Sequence, residues 1–203
     1  YVENNYFYHP VLKFQFPIPN AWQTSNSPQQ FQMAPQDGKA MMALSLGQGS
    51  SPDAAANAFV SKNQLTLVQS NRLTVNGFPA VAVISDQVNQ EEPQGSLRIL
   101  SYFIQYNNSI YMINGIALRT DFNRYENTFR NTMRNFRKLT DPNKINVKPE
   151  LIRVKSVTKS NTLRNALRYY SVPANRLEEL AVLNGMQLND QVTKGTLIKV
   201  IGK

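Results

Sequence analysis

Between residues 67 and 118 the chain carries four long strand-forming segments joined in pairs by turn residues, and this pattern most constrains its fold. Leu67–Val75 and Phe78–Gln87 flank Asn76-Gly77, a pair suited to the positive φ angles of a two-residue hairpin. Ser96–Tyr106 and Ile110–Leu118 lie across Asn107-Asn108 in the same way. Hairpins pair strands antiparallel, so the centre of the molecule is expected to be an antiparallel sheet.

The flanking segments extend this picture. Val11–Phe16 alternates with period two and predicts a strand that Pro17, Pro19 and Asn20 end. Phe31–Ala34 and Ala40–Leu46 predict two more strands around an Asp37-Gly38 turn. Ser51, Pro52 and Asp53 have the order of an N-cap, a first-turn proline and a first-turn acid, and predict a helix to about Gln64. A closing helix is expected from about Asp121 to Leu139, with Phe122, Tyr125, Phe129, Met133 and Phe136 as its apolar stripe. Three strands, a helix, four strands and a helix make an α+β layered fold, with the aromatic stripe packed on the sheet.

Several function classes are excluded by composition. Among 203 residues there is no cysteine and one histidine, His9. Disulfides, thiolate metal sites and cysteine nucleophiles are therefore impossible, and a hydrolytic zinc centre lacks ligands. A Ser–His–Asp triad would have to use His9 beside Pro10, which reads better as part of an extended segment. No apolar run approaches the roughly 20 residues of a membrane span. Glu91-Glu92 and Glu178-Glu179 are adjacent pairs whose side chains point apart, so they cannot flank one glycosidic bond. Tyr1-Val2-Glu3-Asn4-Asn5 has no features of a secretory signal and no initiator Met, as expected of a mature chain or of a piece of a longer one.

The chain is expected to divide into an α+β domain at 1–140, a linker at 141–151 and a small domain at 152–203. The linker is polar and contains Pro142 and Pro149. Residues 1–140 carry eleven basic and eight acidic side chains, and residues 141–203 carry eleven and five. Most of the net charge of +9 thus falls on the short C-terminal part, which favours anionic partners.

An aromatic strand, Phe16-Pro17-Ile18-Pro19-Asn20-Ala21-Trp22, a strand–turn–strand over Asp37-Gly38 and a following helix resemble domains of the PsbP/Mog1-like fold over about residues 8–138. The resemblance implies an antiparallel sheet with two helices, a fold that hosts binding and accessory roles.

The C-terminal segment predicts a strand at Ile152–Val157, a helix from Leu163 to about Tyr170, a second helix from Arg176 to Asn184 and a strand at Gly195–Ile201. Thr162-Leu163, Val172, Leu177, Leu180, Leu183-Asn184-Gly185 and Gly195-Thr196-Leu197-Ile198-Lys199-Val200 resemble the LysM pattern. That resemblance implies binding of N-acetylglucosamine polymers such as peptidoglycan in a groove between two loops. Carried over by position, Thr158, Lys159, Ser160, Asn161 and Thr162 form one side, and Gly185, Met186, Gln187, Leu188 and Asn189 the other. The family's Gly-Asp before the Thr is Ser160-Asn161 here, and its Pro-Gly-Gln turn is Lys194-Gly195-Thr196. Thr162, Asn184 and Gly195 also read simply as caps and turn residues.

An α+β accessory domain followed by a LysM-like unit is similar in arrangement to the C-terminal region of bacterial envelope HExxH zinc metallopeptidases related to the CAAX prenyl protease family. The chain has no HExxH. The resemblance therefore implies a non-catalytic portion located in the periplasm or secreted, with no cofactor of its own and zinc in a preceding catalytic domain. Peptidoglycan or a protein substrate would be its partner. The alternative is a free-standing basic module that binds a protein or an anionic surface. Nucleic acid is not the expected partner, because aromatic residues do not interleave with the basic ones.

Overall fold

The computed structural model describes residues 1–147 and 151–202. The chain divides into two units, Tyr1–Asn146 and Val147–Lys203. The first unit begins with strands β1 (Val2–Glu3), β2 (Tyr6–His9), β3 (Phe14–Pro17), β4 (Gln23–Asn26), β5 (Phe31–Ala34) and β6 (Ala40–Leu46). Helix α1 (Pro52–Lys62) follows, then β7 (Thr66–Val75), β8 (Phe78–Gln87), β9 (Leu97–Tyr106) and β10 (Ser109–Leu118). Helix α2 (Phe122–Arg134), strand β11 (Arg137–Lys138) and the single-turn helix α3 (Pro142–Ile145) complete it.

Seven strands form one sheet in the order β4-β5-β6-β10-β9-β8-β7, with every neighbour antiparallel. Both central hairpins turn where expected: Asn76 and Gly77 have φ of 48° and 86°, and Asn107 and Asn108 have 48° and 62°. The sheet is buried on both faces in its middle, which explains the near-continuous apolar character of β8–β10. On one face Leu100, Tyr102, Ile104, Tyr111 and Ile113 meet the stripe of α2. On the other, Val81, Val83, Phe103 and Ile110 meet Ala55, Ala56 and Phe59 of α1. The start of α1 is as predicted: Ser51 Oγ accepts the Ala54 N–H at 3.1 Å, and Pro52 occupies the first turn.

A second sheet, in the order β1-β2-β3-β11, is one that no sequence pattern announces. Its first hairpin turns on Asn4 and Asn5, at φ of 50° and 57°. The predicted strand Val11–Phe16 shortens to begin at Phe14. Residues 10–13 form the β2–β3 turn instead, with Lys13 at φ 57° and its N–H donated to the His9 carbonyl at 2.7 Å. Val11 is consequently 82% exposed.

The closing helix also differs from its predicted bounds. It ends at Arg134, although Phe136 continues the apolar spacing. Asn76 Nδ2 donates to the carbonyls of Arg134 and Phe136, at 3.0 and 2.8 Å. Arg137 and Lys138 then pair with Gln15 and Phe14 of β3. Strand pairing and the burial of Phe136 among Phe14, Phe78, Tyr106 and Tyr111 outweigh the last helical turn.

The expected linker is ordered in its first half. Asp141 caps α3, accepting the Asn143 N–H at 2.9 Å. Lys144 pairs with Glu3, and its carbonyl accepts the Tyr1 hydroxyl at 3.2 Å, so this segment belongs to the first unit. Residues 148–150 of the expected linker lie outside the described residues.

The second unit contains β12 (Leu151–Ser156), a two-residue strand β13 (Asn161–Thr162), α4 (Leu163–Tyr169), α5 (Leu177–Leu183), β14 (Gln191–Val192) and β15 (Leu197–Gly202). β12 pairs antiparallel with β15, and β13 with β14. Leu163, Leu167, Leu177, Leu180, Ile198 and Val200 are each at most 2% exposed and anchor a core separate from that of the first unit. The two helices and two outer strands agree with the predicted strand–helix–helix–strand order.

Candidate functional site

The polar loop after β12 leads into α4 through Thr162, whose Oγ1 accepts the Asn165 N–H at 3.4 Å. Asn161 stands one residue earlier. Its Oδ1 accepts the N–H of Thr162 and the side-chain amide of Asn165, both at 2.8 Å. The loop after α5 opens on Gly185, at φ 66°, the left-handed conformation expected of a glycine that ends a helix. β13–β14 pairing then joins the two loops directly. Leu163 N–H donates to the Asp190 carbonyl, and Arg164 N–H to the Leu188 carbonyl, both at 2.9 Å. The structure thus brings together the two segments singled out in the sequence.

The residues fare differently within them. Thr158, Lys159 and Asn161 are exposed and line a cleft. Ser160 Oγ is engaged in the fold, accepting the Lys194 N–H at 2.9 Å, and Thr162 is the helix cap. On the second loop Leu188 is 5% exposed and belongs to the core, so it does not line a ligand groove as expected. Met186 is half-buried against the same core. Gln187 donates its backbone N–H to Asp190 Oδ2 at 2.8 Å, while Gly185, Gln187 and Asn189 are exposed. None of residues 185–189 lines the cleft.

That cleft, of about 280 Å³, is walled instead by α4. Val157 and Ala166 form a buried apolar floor. Asn165, Tyr169 and Tyr170 complete the lining together with Thr158, Lys159 and Asn161. The Tyr170 hydroxyl donates to the Ser156 carbonyl at 2.6 Å, which fixes that ring. Tyr169 lies perpendicular to it, with centroids 5.0 Å apart, and is 65% exposed. The Tyr169-Tyr170 pair is visible in the sequence, but the LysM pattern does not place it at the site. Helical spacing from Asn165 to Tyr169, one turn apart, is the signal that could have found it.

The surroundings are positive. Residues 151–202 hold eight basic and three acidic side chains. Glu179 is bonded to the Arg176 guanidinium at 2.7 Å, and this bond holds its carboxyl below the usual range. Among the described residues no three His, Asp or Glu side chains are grouped as a metal ion would require, so they do not fit a zinc centre.

In the first unit the lone His9 lies beside a cleft of about 290 Å³ floored by Phe7, Phe14, Phe31 and Tyr111. Its Nδ1 accepts the Leu12 N–H at 3.2 Å, so this nitrogen closes the β2–β3 turn and is engaged before any proton transfer. Burial lowers the imidazole pKa from its ordinary 6.5. The unfolded chain therefore binds a proton at higher pH than the folded one, and protonation favours unfolding. Thermal unfolding of the whole chain should show the first unit losing stability as pH falls below about 6.5, with His9→Gln removing that part of the pH dependence. An unchanged profile in the variant would refute the assignment.

No protein-family model and no curated protein matches the chain. Among solved structures it is similar to the cyanobacterial PsbP of a Synechocystis species, with 9% identity, a TM-score of 0.53, and coverage of 66% of this chain and 91% of that one. It is also similar to the Saccharomyces cerevisiae Ran-binding protein Mog1p, at 10% identity and TM-score 0.45 over 68% of this chain and 97% of that one. LpqN of Mycobacterium tuberculosis, involved in cell envelope biogenesis, matches at 11% identity and TM-score 0.42, over 63% of this chain and 83% of that one. The first of these likenesses shows a PsbP/Mog1-like α+β fold.

Proposed function

We propose that this chain is a non-catalytic binding region of a bacterial envelope protein, with residues 151–202 acting as a LysM-like module for peptidoglycan or a related N-acetylglucosamine polymer. The observation that carries the reading is the β12–α4–α5–β15 unit, whose two inter-element loops are joined by β13–β14 beside an exposed polar and aromatic cleft. Hydroxyl, carboxamide and aromatic groups together suit the polar rim and apolar face of a sugar ring. The PsbP/Mog1-like fold of the first unit is in keeping with an accessory role, though fold alone does not assign one. The order of the two units along the chain, an α+β unit and then the 151–202 unit, is the basis for reading them as the C-terminal portion of a HExxH zinc metallopeptidase related to the CAAX prenyl protease, whose zinc would sit in a preceding domain.

The test is sedimentation with insoluble peptidoglycan. The intact chain should pellet with the polymer at physiological salt, and a chain ending before residue 151 should remain in the supernatant. The excess of basic side chains in 151–202 favours a second reading, a module for anionic surfaces. Retention on a polyanion that collapses with modest salt, without peptidoglycan sedimentation, would replace the first reading by the second.

A further inference from the structure

We infer that the cleft between the 158–161 loop and α4 is a subsite for one ring of an N-acetylated amino sugar, with Tyr169 as its stacking platform and the Asn161–Asn165 pair reading its acetamido group. The inference rests on the glycan-binding reading above and moves the contact away from the two-loop groove expected from the sequence.

Three observations carry it. The first is size and lining. At about 280 Å³ the cleft falls just below the roughly 300–1,000 Å³ of pockets for drug-sized ligands, which suits a single ring. Val157 and Ala166 give it a buried apolar floor, and Thr158 and Lys159 supply polar groups to its lining.

The second is Tyr169. A tyrosine 65% exposed on a short helix buries little of its own area, so core packing does not account for its position. Tyr170 is fixed by its bond to the Ser156 carbonyl, and the perpendicular contact between the rings holds Tyr169 beside the cleft. An exposed ring held in this way loses little conformational freedom when the C–H face of a sugar stacks on it.

The third is the carboxamide pair. Asn161 Oδ1 is saturated by two donors, Thr162 N–H and Asn165 Nδ2. Asn161 therefore keeps its Nδ2 as a donor, and Asn165 keeps its Oδ1 as an acceptor. A secondary amide presents one N–H and one C=O, the complement of that set. A sugar hydroxyl at the same position can also donate and accept, but it lacks the acetamido methyl that Val157 and Ala166 would cover, and this apolar contact is the basis for selecting acetamido sugars.

The experiment is a titration of the isotope-labelled full chain with a pentamer of N-acetylglucosamine, followed by amide NMR. Shifts are expected in residues 157–170. Tyr169→Ala should weaken affinity by about tenfold or more. Tyr169→Phe, which keeps the ring face, should stay within about threefold of the parent. Val182→Ala, a still more exposed site on α5, should leave affinity unchanged and so controls for nonspecific effects. If the shifts fall instead on 185–192, with Tyr169→Ala harmless and Asn189→Ala weakening, the subsite is overturned and the glycan-binding reading stands. If the pentamer causes no shift, the subsite is overturned and the sedimentation experiment decides the broader reading.

Discussion

Gly115→Ala should lower the stability of residues 1–146 by about 3 kcal/mol or more, or roughly 10 °C in Tm for a unit of this size. Gly115 is in β10, opposite Leu100, on the face that receives α2. A Cβ there would lie 2.4 Å from Phe129 Cγ and 2.6 and 2.7 Å from the two Cδ atoms. Those distances are far inside van der Waals contact, so something must move. The Phe129 ring has no room to retreat: it is fully buried, with Phe122, Tyr125 and Trp22 at centroid distances of 6.0, 6.2 and 6.4 Å. Relief would therefore require α2 to lift from the sheet, which costs burial along the whole stripe. A second substitution, Phe129→Leu, should recover part of the loss, because a smaller side chain vacates the volume that the methyl needs. A change under about 1 kcal/mol in Gly115→Ala would show that helix and sheet can slip apart cheaply and would refute this account. Gly38 offers the contrast. A methyl group added there would meet nothing within 4 Å, so Gly38→Ala faces only the strain of its φ of 66°, about 1 kcal/mol.

Leu180→Ala should unfold residues 151–202 while residues 1–146 keep dispersed amide resonances. Leu180 is fully buried on α5, in a core of about a dozen small aliphatic side chains. Truncating a buried leucine typically costs about 2–5 kcal/mol through lost transfer energy and the cavity left behind. A single core in a unit this small rarely supplies more than about 3–5 kcal/mol, and with no cysteine there is no disulfide to add to it. The loss is therefore of the same size as the whole stability. Hydrogen exchange should show protection gone from β12 and β15, and peptidoglycan sedimentation should be lost with it. Retained protection in β12 and β15 would mean that the core repacks around the vacancy. Because the two units have separate cores, the resonances of the first unit serve as an internal reference within one sample.

Two features of the first unit show where the sequence was legible and where it was not. Asn107-Asn108 announced its hairpin because long apolar strands flank it on both sides. Asn4-Asn5 has the same chemistry and the same positive φ angles, but its strands are two and four residues long and too short to show a period. The signal was present and its frame was missing. The α2 terminus failed for the opposite reason. Phe136 continues a helical pattern without fault, yet it is spent on the second sheet, because Asn76 takes the end of the helix and β3 accepts the strand that follows.

The candidate site divides along the same line. Thr162 was legible as a cap and Gly185 as a helix-ending residue, and the structure uses both in those roles. Leu188 was expected to face a ligand and faces the core. The Tyr169 ring was visible as one of an aromatic pair, but its place at the cleft was not.

What the sequence by itself determined were the elements governed by neighbours: the Asn-Gly and Asn-Asn turns, the Ser51 cap and the amphipathic spacing of α2. Backbone preference and side-chain period act over a few residues and can be read without the fold. Only the tertiary structure decided where α2 stops, that residues 141–146 join the first unit and which wall of the second unit faces the cleft. Each of those outcomes depends on a partner far away in the chain, such as Asn76 for α2 or Glu3 for Lys144. A local pattern carries no record of such partners, because their energy exists only once the chain has brought them together.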